Sequence, residues 1–193
     1  IEQSQRNLFS SITIDRSART LGDDKLLTAL MDDQRAKFVP IWTDKVLVLK
    51  NNHGILEKVS VTKDELSSRF KCITPPIYLG HINRSHYFSA GVEPNGEERE
   101  KFTDLRHCSA LLSDVDNSLL GYALTLQAWY KNYQYCGLCG APNLGLRGDH
   151  ILRCSNPECL REHFPRTDPA IIVLVQYEDR ALFGRKAEWP GSR

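Results

Sequence analysis

Four cysteines in two close pairs are the residues of this sequence best suited to chemistry. The pairs are Cys136-x2-Cys139 and Cys154-x4-Cys159, and fourteen residues separate them. Each pair fits a tight turn that points two thiolates at one place, and a short hairpin between the turns would bring the pairs together. Because this is how a tetrahedral zinc site with four sulfur ligands is built, we predict that all four are zinc ligands.

The residues around the cysteines fit two such turns. Gly137 and Gly140 suit the first turn, where positive φ is often needed, and Asn156 with Pro157 supplies the second. The alternative is a set of buried or disulfide-paired cysteines, which is typical of secreted proteins. Four thiolates leave no position for water, so we expect a structural zinc.

Composition argues against several functional classes. The 193-residue chain has a net charge of +1, and therefore neither a global basic field for nucleic acid nor an acidic tail. Its longest apolar run, Ala170 to Val175, is too short to span a bilayer, and no signal peptide is recognisable. Six cysteines with four in a metal pattern indicate a reducing, intracellular compartment, cytoplasmic or, in a eukaryote, peroxisomal. Cys72 and Cys108 are then expected to be free, buried thiols.

The first hundred residues alternate short helical and strand patterns. Asp23 or Asp24 can cap a helix through Met31, with Leu26, Leu27 and Leu30 facing inward. Strand patterns follow, beginning as an antiparallel meander, with a short helical stretch at 64–69 and an exposed loop at 91–101. The predicted strands are 38–42, 45–50, 55–62, 77–80 and 86–89.

A long helix is predicted from about Ser113 to Lys131, and it leads directly into the first cysteine pair. Its apolar residues recur at spacings of four, three, four and three, which places them on one helix face. They are Val115, Leu119, Tyr122, Leu126 and Trp129. This face is expected to pack in the core, with use as a dimer interface as the alternative.

After the cysteines, residues 170–175 and 181–185 read as two strands joined by a turn at 178–180. Both ends of the chain are expected to be cut. The chain starts without methionine, and it stops just after a strand pair that would have nothing to pack on.

These features together resemble the NADH pyrophosphatase family of Nudix hydrolases. The resemblance rests on YCGLCG, the second cysteine pair, HFPRTDPAIIVLV and ALFGRKAEWPG, and it extends upstream through DRSAR, AKFVPIW and IYLG. It implies an α+β fold in three units. They are an antiparallel N-terminal α/β domain (1–131), a four-cysteine zinc ribbon (132–165) and the first strands of a Nudix α/β/α sandwich (166–193).

The resemblance implies hydrolysis of the pyrophosphate of NADH or NAD to nicotinamide mononucleotide and AMP, and of NAD-capped RNA in some relatives. It also implies a homodimer. The family's catalytic unit is the Nudix box, Gly-x5-Glu-x7-Arg-Glu-x2-Glu-Glu-x-Gly, whose glutamates hold Mg²⁺ or Mn²⁺ on the diphosphate. Residues 1–193 do not contain this pattern. We therefore expect the catalytic residues to lie beyond Arg193 and this chain alone to be inactive.

Three substrate-binding residues are implied by their match to the family. Arg106 precedes the long helix, Asp149 stands five residues before the third cysteine, and Phe164 precedes the proline after the ribbon. The alternatives are a surface salt bridge for Arg106 and core packing for Phe164, while Asp149 replaces the family's longer glutamate. His150 and His163 are expected to lie beside the zinc site or on the surface rather than to bind the ion.

Two other functions compete with an enzyme. A zinc ribbon that binds nucleic acid would use the basic residues near the cysteines, but acidic residues offset them. The basic residues are Lys131, Arg147, Arg153, Arg161 and Arg166, and the acidic ones are Asp149, Glu158, Glu162 and Asp168. A non-catalytic dimerisation scaffold would use the apolar helix face. The ribbon followed by PRTDP and a hydrophobic strand favours the enzyme, because a free-standing ribbon does not need that junction.

Overall fold

The computed structural model describes residues 9, 13–16, 23–146, 148, 150–166 and 173–184. The helices in this part of the chain are α1 (Asp24–Asp32), α2 (Lys63–Arg69), α3 (Gly96–Arg99), α4 (Leu105–Cys108) and α5 (Asp114–Asn132), with a 3-10 turn at Ser109–Leu111. The first seven strands are β1 (Lys37–Trp42), β2 (Lys45–Lys50), β3 (Leu56–Lys58), β4 (Phe70–Cys72), β5 (Ile77–Ile82), β6 (Ser85–Pro94) and β7 (Phe102–Asp104). The remaining strands are β8 (Asn143–Leu146), β9 (Ile151–Cys154), β10 (Glu162–His163), β11 (Gln176–Tyr177) and β12 (Arg180–Ala181).

The N-terminal strands form one seven-stranded sheet, which confirms the predicted α+β class. Its order is β3-β2-β1-β6-β4, with β5 also paired to β6 and β7 to β2. The predicted meander is present as β1-β2-β3, and one pair, β1 with β6, is parallel. These two strands can be parallel because a long stretch of chain connects them. Strands joined by a tight hairpin must be antiparallel.

Alternating side chains of β1 pack on opposite faces of this sheet. Val39 and Ile41 lie in a cluster with Leu119 and Leu126 of α5. Phe38 lies in a second cluster, with Leu27 of α1 and Leu66 of α2. Because successive strand residues point to opposite faces, a strand covered on both sides is buried at nearly every position, as β1 is.

The helices begin where side chains can satisfy their first backbone N–H groups. The Asp23 carboxylate accepts hydrogen bonds from the N–H groups of Lys25 and Leu26. Thr62 and Glu65 form a reciprocal capping box on α2, and Ser113 caps α5. Both predicted helix starts are confirmed.

The inward face of α5 is confirmed, and that of α1 only in part. Leu119, Leu126 and Trp129 are buried, whereas Val115 and Tyr122 are half-buried. In α1, Leu27 is buried and Leu30 half-buried, but Leu26 is exposed. In so short a helix only a narrow strip can face the sheet.

Two predicted segments differ in the structure. The expected loop at 91–101 is wrong, because β6 continues through Pro94 with Gly91 and Val92 buried, and α3 follows at once. The polar residues that suggested a loop stand after the strand rather than within it. The expected third strand is shorter than 55–62. It ends at Lys58, and Val61 makes only a single bridge, to Phe38.

The described residues after the ribbon form less strand than expected. The turn predicted at 178–180 is present at Glu178–Asp179, but Arg180 already belongs to β12, and the pairing of β11 with β12 has only two residue pairs. Residues 173–175 and 182–184 are not strand, while the rest of the two predicted strands lies in 170–172 and at 185, outside the described residues. A two-stranded hairpin alone offers little burial to extend its pairing.

The two cysteines outside the metal pattern differ from each other. Cys108 is buried as expected, but Cys72 is exposed, because it ends β4 at the edge of the sheet. No helix in the described ranges has the length and apolar character needed to cross a bilayer.

Candidate functional site

The four cysteine sulfurs converge at one point. Their Sγ atoms all lie within 4.8 Å of one another. The Cys136–Cys159 separation is 3.8 Å and the Cys139–Cys154 separation is 3.3 Å. All four thiols are free, so the disulfide alternative does not describe this structure. The cluster has the donor type and number that a tetrahedral Zn²⁺ or iron site requires.

A three-stranded sheet holds the two cysteine turns together. Its strand order is β10-β9-β8, and the β8–β9 hairpin pairs Asn143 with Cys154, at the end of β9. The carbonyl oxygen of Pro142 accepts a hydrogen bond from the N–H of Ser155, which ties the first turn to the second. The predicted hairpin between the pairs is therefore present.

Local backbone geometry points N–H groups at the first two sulfurs. Gly140 has φ +73, the left-handed conformation expected there, and its N–H donates to the Cys136 carbonyl oxygen. Gly137 does not have positive φ. N–H groups of Leu138 and Cys139 that donate to its sulfur lower the pKa of Cys136 to about 6.

The second turn is built as predicted, on Asn156. Its carbonyl oxygen accepts from the N–H of Cys159 and Leu160, and its side-chain oxygen accepts from the N–H of Glu158. Burial raises the pKa of Cys154 to about 12. The Arg161 N–H lowers the pKa of Cys159, but burial and the neighbouring sulfurs outweigh it and leave that pKa raised. Four sulfurs this close cannot all ionise without a cation among them, so binding a metal would release protons.

Neither histidine of this region belongs to the cluster, but only His163 lies beside it as expected, because His150 is half-buried away from the cysteines. His163 lies beside Cys136, to which its side chain hydrogen-bonds, and its ring is 6.1 Å from that of Tyr133. His150 instead faces the N-terminal sheet. Its Nε2 donates to the Tyr78 carbonyl oxygen at 2.6 Å, and its Nδ1 lies 3.4 Å from the Tyr122 hydroxyl. The ribbon is thus anchored to both β5 and α5.

Arg106 lies at the edge of a cavity of about 590 Å³ beside α5. Its side chain is 84% exposed, and its guanidinium forms a 2.8 Å salt bridge with Asp104. Hydrogen bonds from Arg106 lower the pKa of Asp104 to about 2. The salt bridge is therefore present, and the same side chain also lines a cavity large enough for part of a nucleotide.

Arg16 also lines this cavity, although it was not predicted to be a site residue. Its guanidinium lies 4.1 Å from the centroid of the Tyr122 ring, a cation–π contact at the cavity wall. No local signal could have shown this, because Arg16 and Tyr122 are far apart in sequence. Arg16 stands in the DRSAR string, which was only one piece of the family resemblance.

Of the other two predicted substrate residues, the structure describes only Phe164. Phe164 is 55% exposed, so it is not a core residue. It does not line the cavity that Arg106 borders. Asp149 lies outside the described residues, between Gly148 and His150. The described part of the chain thus brings the four cysteines together but does not join Arg106 and Phe164 in one site.

Two family models match the chain in tandem. The "NADH pyrophosphatase-like rudimentary NUDIX domain" matches residues 35–129, and the "NADH pyrophosphatase zinc ribbon domain" matches residues 131–164. The first corresponds to the seven-stranded sheet with α5, and the second to the cysteine cluster with its three strands.

The chain is also similar to bacterial proteins named NAD-capped RNA hydrolase NudC. It is 38% identical to that of Stutzerimonas stutzeri over 74 residues, which is 38% of this chain and 26% of the relative. It is 33% identical to that of Deinococcus radiodurans over 99 residues, 51% of this chain and 35% of the relative. It is 38% identical to that of Mycobacterium tuberculosis over 124 residues, 60% of this chain and 39% of the relative.

The chain therefore spans well under half the length of these curated relatives. Two matched modules in the expected order and the convergent four-cysteine cluster agree with each other. The chain belongs to the NADH pyrophosphatase family of Nudix hydrolases.

Proposed function

We propose that this chain is the N-terminal part of an enzyme that hydrolyses the pyrophosphate bond of NADH or NAD, giving nicotinamide mononucleotide and AMP, and that also cleaves NAD-capped RNA. The observation that carries the proposal is the tandem match of the rudimentary NUDIX domain and the zinc ribbon, in that order. The names of the bacterial relatives support the capped RNA as a substrate.

The four cysteines are proposed to hold one structural zinc ion. Their sulfurs lie within 4.8 Å of one another, and the free thiols fit a reducing, intracellular compartment. A site with four thiolate ligands has no position for water, so this ion would stabilise the ribbon rather than activate a nucleophile.

We propose that this chain contributes to substrate binding and that residues beyond it cleave the bond. The proposed domains are 1–131, 132–165 and 166–193, the last being the start of the Nudix domain. The Nudix box pattern does not occur in residues 1–193. Mg²⁺ or Mn²⁺ held by such a box would neutralise diphosphate oxygens and lower the pKa of the attacking water.

Arg106, Asp149 and Phe164 are proposed to contact the nucleotide. The Arg106 guanidinium can pair with a phosphate through two N–H groups, and its 84% exposure leaves it free to turn from Asp104 toward one. The exposed ring of Phe164 can stack on a base or on nicotinamide.

The dimerisation-scaffold alternative has lost its main support. The apolar side chains of α5 that would have formed the interface, including Leu119 and Leu126, are buried against the sheet of their own domain. A homodimer nevertheless remains part of the proposal, because the resemblance to the family implies one. Light scattering tests it.

The test compares the 193-residue chain with the longest product that its gene encodes. We expect the gene to continue into a Nudix box, and the longer product to release AMP and reduced nicotinamide mononucleotide from NADH with Mn²⁺. The chain 1–193 should release neither. A longer product that carries the box but does not cleave NADH would overturn the proposal.

A matched pair of arginines tests the substrate contact in the longer product. Arg106→Ala should raise KM for NADH. Arg35→Ala removes an equivalent exposed arginine, which pairs with Asp33 two residues earlier as Arg106 does with Asp104, and it should change nothing. Equal effects of the two substitutions would refute the assignment of Arg106.

A further inference from the structure

Two neighbouring cavities open where α5 ends and the ribbon begins. One of about 270 Å³ is lined by Tyr130, Tyr133, Tyr135 and Asn143. The other, of about 240 Å³, has Trp42 and Lys131 in its wall. Gln134 lines both, and we call the two cavities together the tyrosine cleft. It does not include Arg106 or Phe164.

The Asn143 side chain at the tyrosine cleft is only partly hydrogen-bonded. The Asn143 amide donates to the Tyr133 carbonyl oxygen at 2.9 Å, but its own Oδ1 is buried and accepts no hydrogen bond from the described residues. The Tyr133 ring contacts those of Trp129 and His163, at centroid distances of 6.2 and 6.1 Å.

This combination of groups has the chemistry of a site for a flat, polar ring. Aromatic side chains stack on the faces of unpaired nucleobases, and amide side chains hydrogen-bond to the base edges. A cavity lined by three tyrosines and an amide side chain therefore fits the face and the edge of a nucleobase.

The charge beside the tyrosine cleft fits a phosphate. Lys131 stands one turn before Gln134 and makes no ion pair with any described residue. The carboxylate that shares its cavity, Glu93, is already paired with Arg99 at 2.6 Å. The ammonium of Lys131 is therefore the uncompensated charge of that cavity.

We propose that the tyrosine cleft binds the single-stranded RNA body of a capped substrate, with one base in the tyrosine cavity and the adjoining phosphate at Lys131. This inference rests on the proposed function, since only an RNA substrate continues beyond the NAD moiety. It places RNA at the junction of the two domains rather than on the arginines of the ribbon, where Arg153 is paired with Glu162.

The test measures binding of a short, unmodified, single-stranded oligoadenylate to the 193-residue chain by fluorescence anisotropy. Tyr135→Ala should raise Kd by about fivefold or more, the usual loss for one stacking contact. Its side chain is 65% exposed, so the fold should survive. The matched control is Tyr177→Ala, which changes another exposed tyrosine outside the cleft and should bind like the wild type. The logarithm of the RNA affinity falls linearly with the logarithm of the salt concentration. Lys131→Gln should make this slope shallower by the amount expected for about one phosphate contact.

Three results would overturn the proposal. One is no binding by the wild-type chain at low salt, and another is equal affinity of Tyr135→Ala and Tyr177→Ala. The third is a Tyr135→Ala chain that changes from dimer to monomer with no change in RNA affinity, which would make the cleft a subunit interface. Because this RNA has no cap and the buffer no divalent ion, failure to cleave NADH would bear on the proposed function alone.

Discussion

His150 Nε2 lies 2.6 Å from the carbonyl oxygen of Tyr78, across a separation of 72 residues. A carbonyl oxygen can only accept, so Nε2 carries the hydrogen and the neutral ring uses Nδ1 to accept from the Tyr122 hydroxyl. The hydrogen bond from the Tyr78 N–H to the Gly148 carbonyl oxygen joins the same two elements. One residue of the ribbon thus fixes it to the strand and the helix of the N-terminal domain.

Removing this anchor should loosen the ribbon without releasing its metal. We expect His150→Ala to lower the free energy of unfolding by about 1–3 kcal/mol, because the Tyr78 carbonyl loses a buried partner. Hydrogen exchange should quicken in β9 and at the Tyr78 amide. His53→Ala, in an exposed turn, is the control. If these amides exchange equally slowly in His150→Ala and His53→Ala, the contact does not anchor the ribbon.

The same histidine should make stability depend on pH. Burial lowers the pKa of His150 below its ordinary value of 6.5. As pH falls through 6.5, the unfolded chain therefore binds this proton first, and stability decreases toward acid. His86 is shifted in the same direction by burial, so the comparison must isolate one residue. The difference in unfolding free energy between wild type and His150→Gln, measured from about pH 7 downward, should shrink. A difference in unfolding free energy that stays constant with pH would contradict a lowered pKa for His150.

Metal binding should depend on each cysteine of the cluster. Cys154→Ser should release zinc and unfold the ribbon, because Cys154 is buried and its sulfur lies 3.3 Å from that of Cys139. Cys72→Ser changes an exposed thiol outside the cluster and should keep its metal. Elemental analysis of the two purified variants distinguishes them. An unchanged zinc content in Cys154→Ser would show that Cys154 is not a ligand.

Gly80 should be intolerant of any side chain. It has φ +124, and a Cβ at this position would lie 2.5 Å from the Asp15 carbonyl oxygen, which pairs with β5. We expect Gly80→Ala to cost about 2 kcal/mol or more and to detach residues 13–16 from the sheet. Gly96→Ala, where a Cβ meets nothing within 4 Å, should be neutral or stabilising. Thermal unfolding of both variants gives the comparison.

Local patterns were enough to predict much of this structure. The caps at Asp23 and Ser113, the apolar face of α5 and the two cysteine turns each depend on residues close together in sequence. Periodicity and turn chemistry report directly on such features. The cysteine cluster was predictable for a further reason. The short spacing within each pair limits where its two sulfurs can lie.

Features that depend on distant residues were not predictable in this way. The parallel pairing of Lys37 with Tyr87 is set by the whole sheet, and the burial of Gly91 and Val92 follows from it. The contact between Arg16 and Tyr122 joins an irregular segment to a helix. Burial of Cys72 was wrongly expected, because its exposure depends on β4 lying at the sheet edge.

The zinc content of the purified chain tests the central claim most directly. One measurement by native mass spectrometry gives both the bound metal and the redox state of the six cysteines. We expect one zinc ion per chain, with four thiols that resist modification until a chelator is added, while Cys72 reacts at once. A metal-free chain with two disulfides among Cys136, Cys139, Cys154 and Cys159 would contradict it.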